Sequence, residues 1–166
     1  MSDSKNYELP AIDPNTLSPV VPELGVDTYS EPFHSQMGKV ERRVLGDACG
    51  LNKMGINLVV LEPEARSALR HWHTLEDEFV YVLEGEISVV TSAGEQLLTA
   101  GMCAGFPAGK RDGHHLINRS ASRARYLEIG SRIDGDDCFY PDDDMMWITT
   151  EDGWHPAHKD GRPYKV

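Results

Sequence analysis

The chain is short of positive charge. Lys and Arg number 16 against 27 Asp and Glu in 166 residues, for a net charge of -11. Phosphate backbones are held by clustered Lys and Arg, so nucleic acid is not an expected partner, nor is an anionic membrane surface. Cysteine is scarce as well. Cys49, Cys103 and Cys138 are odd in number and widely spaced, with no C-x-x-C pair, which argues against a disulfide framework and for a reducing compartment, the cytoplasm. Long apolar runs are missing: stretches such as Leu58 to Leu61 and Phe79 to Leu83 are too short to cross a bilayer. Met1 to Pro10 lacks the apolar centre of a signal peptide, so no secretory leader is expected. No apolar i, i+3, i+4 stripe persists far enough for a long helix.

What is present is an ordinary globular balance, 40% hydrophobic and 26% charged, in a length that fits one domain. The opening stretch carries Pro10, Pro14, Pro19, Pro22 and Pro32. Proline fixes φ and removes a donor, so residues 1–35 read as an extended arm lying on the parent barrel or on a neighbouring subunit. From Val40 onward, short apolar runs alternate with turn signals every eight to twelve residues, the pattern of a sandwich or barrel. Strands are predicted over Lys39–Leu45, Gly55–Leu61, Ser67–His73, Glu78–Glu84, Glu86–Thr91, Glu95–Leu98, Met102–Phe106, His114–Asn118 and Ala124–Ser131. The barrel is placed at 36–135. The tail, 136–166, is expected to be a loop or short helix packing on it.

One constellation carries chemistry. His71 and His73 stand two apart, and Glu78 follows after four intervening residues. Side chains at i and i+2 of a strand share a face, so the two imidazoles point together. Glu78 opens the next strand, and a hairpin across Thr74–Asp77 brings its carboxylate beside them. Two neutral imidazoles and a carboxylate suit a divalent first-row ion. A further ligand must come from elsewhere in the sheet, and His114, at the start of a strand, is the best candidate.

With Gly85 after the first block and Gly101, Pro107, Gly109, His114 and Asn118 in a second, the sequence resembles the cupin superfamily. The first block looks like G-x5-H-x-H-x(3,4)-E-x6-G and the second like G-x5-P-x-G-x2-H-x3-N. The resemblance implies an all-β double-stranded β-helix, or jelly-roll, barrel. It implies metal ligands His71, His73, Glu78 and His114, and structural turns at Gly85, Gly101, Pro107 and Gly109. Two positions depart from the pattern: Ala65 stands for the opening glycine, and four residues separate Gly109 from His114 where the pattern has two. That longer turn leaves His115 as the alternative ligand. Spacing to Asn118 favours His114, and alternation sends His114, Leu116 and Asn118 to one face and His115 and Ile117 to the other. The flanks Arg43–Gly46, Tyr140–Asp142 and His158–Gly161 also resemble a bacterial group loosely called sugar-phosphate isomerases.

Alternation places Ser67 and Leu69 with the two histidines, and Val80 and Val82 with Glu78. Ser67, Leu69, Val80 and Tyr126 are the candidate substrate pocket, mostly apolar as small-molecule sites are. Arg70 and Trp72 are expected to point outward, Trp72 at a dimer surface. Cys103 reads as a small buried residue, Asp77 as a turn residue and Asp142–Asp144 as a solvated acidic loop. The catalytic residues beyond the ligands are not legible.

The expected cofactor is one divalent ion, Fe, Mn, Ni or Zn, because three nitrogens and one oxygen leave two positions open on an octahedral ion. The expected function is a metal-dependent lyase, isomerase or oxygenase acting on a small oxygenated metabolite such as a sugar derivative or carboxylic acid. The alternative is a non-catalytic ligand-binding or sensing module. A homodimer follows by analogy with small cupins.

Overall fold

The computed structural model describes residues 10–20, 33–151 and 153–164. The parts of the proline-rich arm at 1–9 and 21–32 lie outside the described residues. Within the arm, Pro14–Thr16 forms one 3-10 turn capped by Asp13, and Val20 exchanges two backbone hydrogen bonds with Arg42, which lays this stretch along its own barrel.

β1 (Val40–Val44), a four-residue helix α1 (Leu45–Ala48) and β2 (Met54–Leu61) open the barrel. They are followed by β3 (Trp72–His73), β4 (Glu78–Glu84), β5 (Glu86–Thr91), β6 (Gly94–Thr99), β7 (Cys103–Phe106), β8 (His115–Ile117) and β9 (Ala124–Ser131). One sheet runs β1-β2-β9-β4-β7 and a second runs β6-β5-β8. Their inward faces meet in a core of Val59, Leu61, Val82, Ile87, Leu116 and Tyr126 with their neighbours. The predicted boundaries of β4, β5 and β9 coincide with the observed ones. The predicted strand Ser67–His73 contracts to two residues. Its earlier part lacks a continuous ladder and meets β8 and the residue before it through isolated bridges, Arg66 to Ile117 and His71 to His114.

Gly85 turns β4 into β5 with φ 76°. A Cβ there would sit 3.0 Å from the Arg123 carbonyl oxygen and 3.1 Å from Ala124 Cα, so both the backbone conformation and the close approach require glycine. Asn118 is fully buried. It donates to the Leu61 and Ser122 carbonyls at 2.9 and 2.8 Å and accepts from the Ser120 amide, closing the turn after β8.

The tail corrects the expectation of a loop or short helix. It forms β10 (Cys138–Tyr140), β11 (Met145–Thr150) and β12 (Gly153–Ala157), which extend β3 in a sheet of order β12-β11-β10-β3. Non-local pairing decides this: Cys138 lies opposite His73 and Phe139 opposite Trp72, partners that no local pattern in an acidic, proline-containing tail reveals. Trp72 stacks on Phe139 at 5.0 Å between ring centroids, and so already has an apolar partner in its own chain. Arg70 grips Asp142 through two hydrogen bonds of 2.6 and 2.7 Å, tethering the acidic loop. A second core forms on this side from Leu69, Cys138, Tyr140 and Met145 with Phe33 and Met37.

Cys103 is exposed rather than buried. It alternates with the inward Ala104 and Phe106 along β7, which sends its side chain outside.

Candidate metal centre

The register of the large sheet sorts its inner face into two ends. Val40, Leu61 and Ala124 line up at one end, followed by Val59, Tyr126 and Val82. At the other end Glu78 lies opposite Phe106 on one side and Gly130 on the other. The histidines enter here, from the segment around β3 and from the turn before β8.

The four residues of the constellation converge. Oε2 of Glu78 lies 3.7 Å from His71 Nε2, 3.8 Å from His73 Nε2 and 3.1 Å from His114 Nε2. Donor atoms of His71, Glu78 and His114 all lie within 4.8 Å of one another. His73 belongs to two overlapping groups, one with His71 and Cys138 and one with Glu76 and Asp136. His115 is in none of these groups among the described residues. Burial, with Arg66 nearby, pushes its imidazole down to about 4.

Neighbouring groups hold the rings in place. His71 Nδ1 pairs with the Leu69 carbonyl at 2.8 Å and His73 Nδ1 with Asp136 Oδ2 at 2.5 Å. Asp136 is itself buried and accepts from the Leu75 amide at 2.7 Å and the Thr74 hydroxyl at 3.1 Å. The His114 ring lies flat on Phe106, 3.4 Å between centroids and 3° from parallel. With both Nδ1 atoms donating outward, the Nε2 lone pairs of His71 and His73 face the Glu78 carboxylate. Acceptors then face an acceptor, and a positive charge between them resolves the arrangement. The donor set therefore fits a divalent cation.

In the absence of an ion, the imidazoles and the carboxylate respond to one another. Burial alone would raise the Glu78 carboxyl, but the facing His114 and His71 imidazoles outweigh it and hold it well below the usual carboxylate range. Burial pushes His114 below the ordinary histidine value. At His71 burial works in the same direction, yet the Glu78 carboxylate overrides it and the imidazole is raised.

The four candidate pocket residues separate. Val80 and Tyr126 belong to the barrel core. Ser67 is half-buried beside it, its hydroxyl accepting from the Leu116 amide at 3.0 Å. Leu69 packs into the second core instead, so its carbonyl rather than its side chain reaches the site. Asp77 serves a turn, accepting from the Ala108 amide at 2.8 Å.

Sequence reasoning missed Asp136 and Cys138, which approach His73 only through the β3–β10 pairing. It also missed Glu128, which lies opposite both Val80 and Asn57 on the inner face. That placement was legible, because Glu128 is two residues beyond Tyr126.

Comparison with known proteins adds the following. Residues 57–130 match the family model described as Cupin domain. The chain is similar to a sugar phosphate isomerase of the cupin superfamily from Silicibacter pomeroyi DSS-3, with 37% identity and a TM-score of 0.86 over 95% of this chain and 98% of that one. It is similar to a protein of Acidithiobacillus ferrooxidans, provisionally named a sugar phosphate isomerase, at 29% identity and TM-score 0.69 over 77% and 81% of the two chains. A Thermotoga maritima protein described as a predicted oxalate decarboxylase shares the fold, with TM-score 0.59 at 19% identity over 74% of this chain and 99% of that one. No curated protein matches the chain. Among the described residues no helix is long and apolar enough to cross a membrane.

Proposed function

We propose, from the premise that this chain belongs to the cupin superfamily, that it is a metal-dependent isomerase of a small oxygenated metabolite, a sugar derivative. The observation that carries the reading is the convergence of three imidazole Nε2 atoms on one oxygen of Glu78, at 3.1 to 3.8 Å. His71, His73, Glu78 and His114 would hold one divalent ion, of Fe, Mn, Ni or Zn. Bound there, the ion supplies positive charge against the oxygens of a substrate as negative charge develops on them. The isomerase reading is preferred to a lyase or an oxygenase because the Silicibacter pomeroyi relative, 37% identical over nearly the whole chain, bears that name.

The chain's own residues do the rest. Asp136 and the Leu69 carbonyl orient the His73 and His71 rings before any ligand arrives. Phe106 fixes the His114 ring from below. Val80 and Phe106 beside Glu78 keep the site's walls apolar, which strengthens every charge interaction inside it.

A homodimer in a reducing compartment is part of the same proposal. Phe79, Tyr81 and Leu83 are 38%, 39% and 44% exposed on the outside of β4, an apolar strip that a second copy would cover. All three cysteines are free. Light scattering is expected to give twice the chain mass.

Elemental analysis of purified protein, followed by assays of sugars and sugar phosphates with and without Mn(II) or Fe(II), tests the function. The expected result is about one ion per chain and metal-dependent turnover. Turnover persisting in metal-free protein would refute the mechanism, and saturable binding without turnover would make the protein a ligand-binding module.

A further inference from the structure

Between the candidate ligands and the apolar end of the barrel lies a polar group that the metal does not account for. Glu128 on β9 faces the interior, opposite Val80 on one side and Asn57 on the other. Glu78 lies opposite Gly130 on the same strand, so Glu128 is its diagonal neighbour, with Cα atoms about 7–8 Å apart in such a ladder. Gly130 contributes no side chain to the space between them.

Glu128 is fixed but not sealed off. Asn57 Nδ2 donates to its Oε1 at 3.1 Å, and Arg42 Nε lies 3.7 Å from the same oxygen. Arg42 is itself anchored, donating from Nη2 to the Ser67 carbonyl at 2.8 Å. The Glu128 side chain nevertheless keeps 28% of its surface exposed. Two residues earlier, on the same face, lies the fully buried Tyr126, whose hydroxyl interacts with the Glu128 carboxylate.

We infer that Glu128 is the proton-transferring residue of this site, that Arg42 and Asn57 are its positioning residues, and that the substrate is an α-hydroxycarbonyl compound. The inference rests on the isomerase reading above. With two adjacent substrate oxygens at the donor cluster, the carbon between them and the barrel interior comes within reach of a carboxylate one diagonal step away. Glu128 takes the proton from the hydroxyl-bearing carbon. The C–H electron pair becomes the C=C bond of an enediolate, and the carbonyl π pair moves onto its oxygen. The proton returns from Glu128 to the former carbonyl carbon, and the remaining hydroxyl proton passes between the two vicinal oxygens. One carbon is oxidised as its neighbour is reduced, so no external reagent is consumed.

The test follows hydrogen exchange by NMR in D2O. Metal-loaded native protein and Glu128→Gln are incubated with a panel of aldose and ketose phosphates and their free sugars. Exchange of the C–H next to the carbonyl by the native protein is expected, falling about 10²–10⁴-fold in the variant, the range for loss of a general base, with metal content unchanged. Exchange undiminished in Glu128→Gln would overturn the role. Absence of exchange from native protein across the panel would overturn the substrate class and the role together. That outcome leaves the metal reading to elemental analysis alone, so the two failures are distinguishable. If Glu128→Gln does not fold, Glu128→Asp keeps the carboxylate one methylene short. It should lose at least about tenfold in exchange, and a native rate would refute the assignment.

Discussion

The two ends of the barrel's inner face are built from the same strands and do opposite work. At one end β2, β9 and β4 present Val59, Leu61, Ala124 and Val82, all at most 1% exposed. At the other end the same strands present Asn57, Glu128 and Glu78, and the histidines converge there. A step of two residues along a strand keeps a side chain on the same face. The boundary between a dry core and the candidate metal centre is therefore one pleat wide. Leu61 and Val59 secure the sheet that aims Asn57, and Tyr126 sits at the junction.

If that division is real, substitutions at the two ends should separate metal binding from stability. The largest effect is expected from His73→Ala, which should abolish metal content and turnover together while leaving the far end of the barrel folded, as read by elemental analysis and circular dichroism. Next, Leu61→Ala at the apolar end should lower unfolding free energy by about 2–5 kcal/mol in urea titrations and leave metal stoichiometry intact. Metal loss in Leu61→Ala without loss of stability would break the comparison. Asp136→Asn should weaken metal affinity about 10–100-fold by releasing the His73 ring, with a smaller change in stability, measured by competition with a chelator.

The smallest effect is expected in acid. Asp142 lies below its ordinary value because Arg70 hydrogen-bonds to it. A depressed carboxylate stabilises the fold above its unfolded pKa, and that contribution is lost as pH falls through the folded value. Asp142→Asn should therefore slightly flatten the loss of stability below about pH 4, and a steeper loss would contradict the assignment.

Much of this was legible from local pattern. β4, β5 and β9 alternate cleanly between punctuating residues, and the four candidate ligands occupy fixed spacings. The misreadings have separate causes. Cys103 was placed by composition, although the alternation with Ala104 and Phe106 already turned it outward. Leu69 follows the strand rule from His71, but its segment is held by isolated bridges rather than a continuous ladder, so alternation does not govern it. The strands β10 to β12 and the carboxylate of Asp136 depend on pairing with β3 some sixty residues away in sequence, and no short-range signal encodes such a contact.

The most direct test is anomalous diffraction from crystals of protein loaded with Mn(II) or Fe(II). The account predicts one peak bounded by His71, His73, Glu78 and His114, with nitrogen and oxygen donors at about 2.0–2.3 Å. A peak instead at His73, Glu76 and Asp136, or no peak at all in loaded crystals, would contradict it.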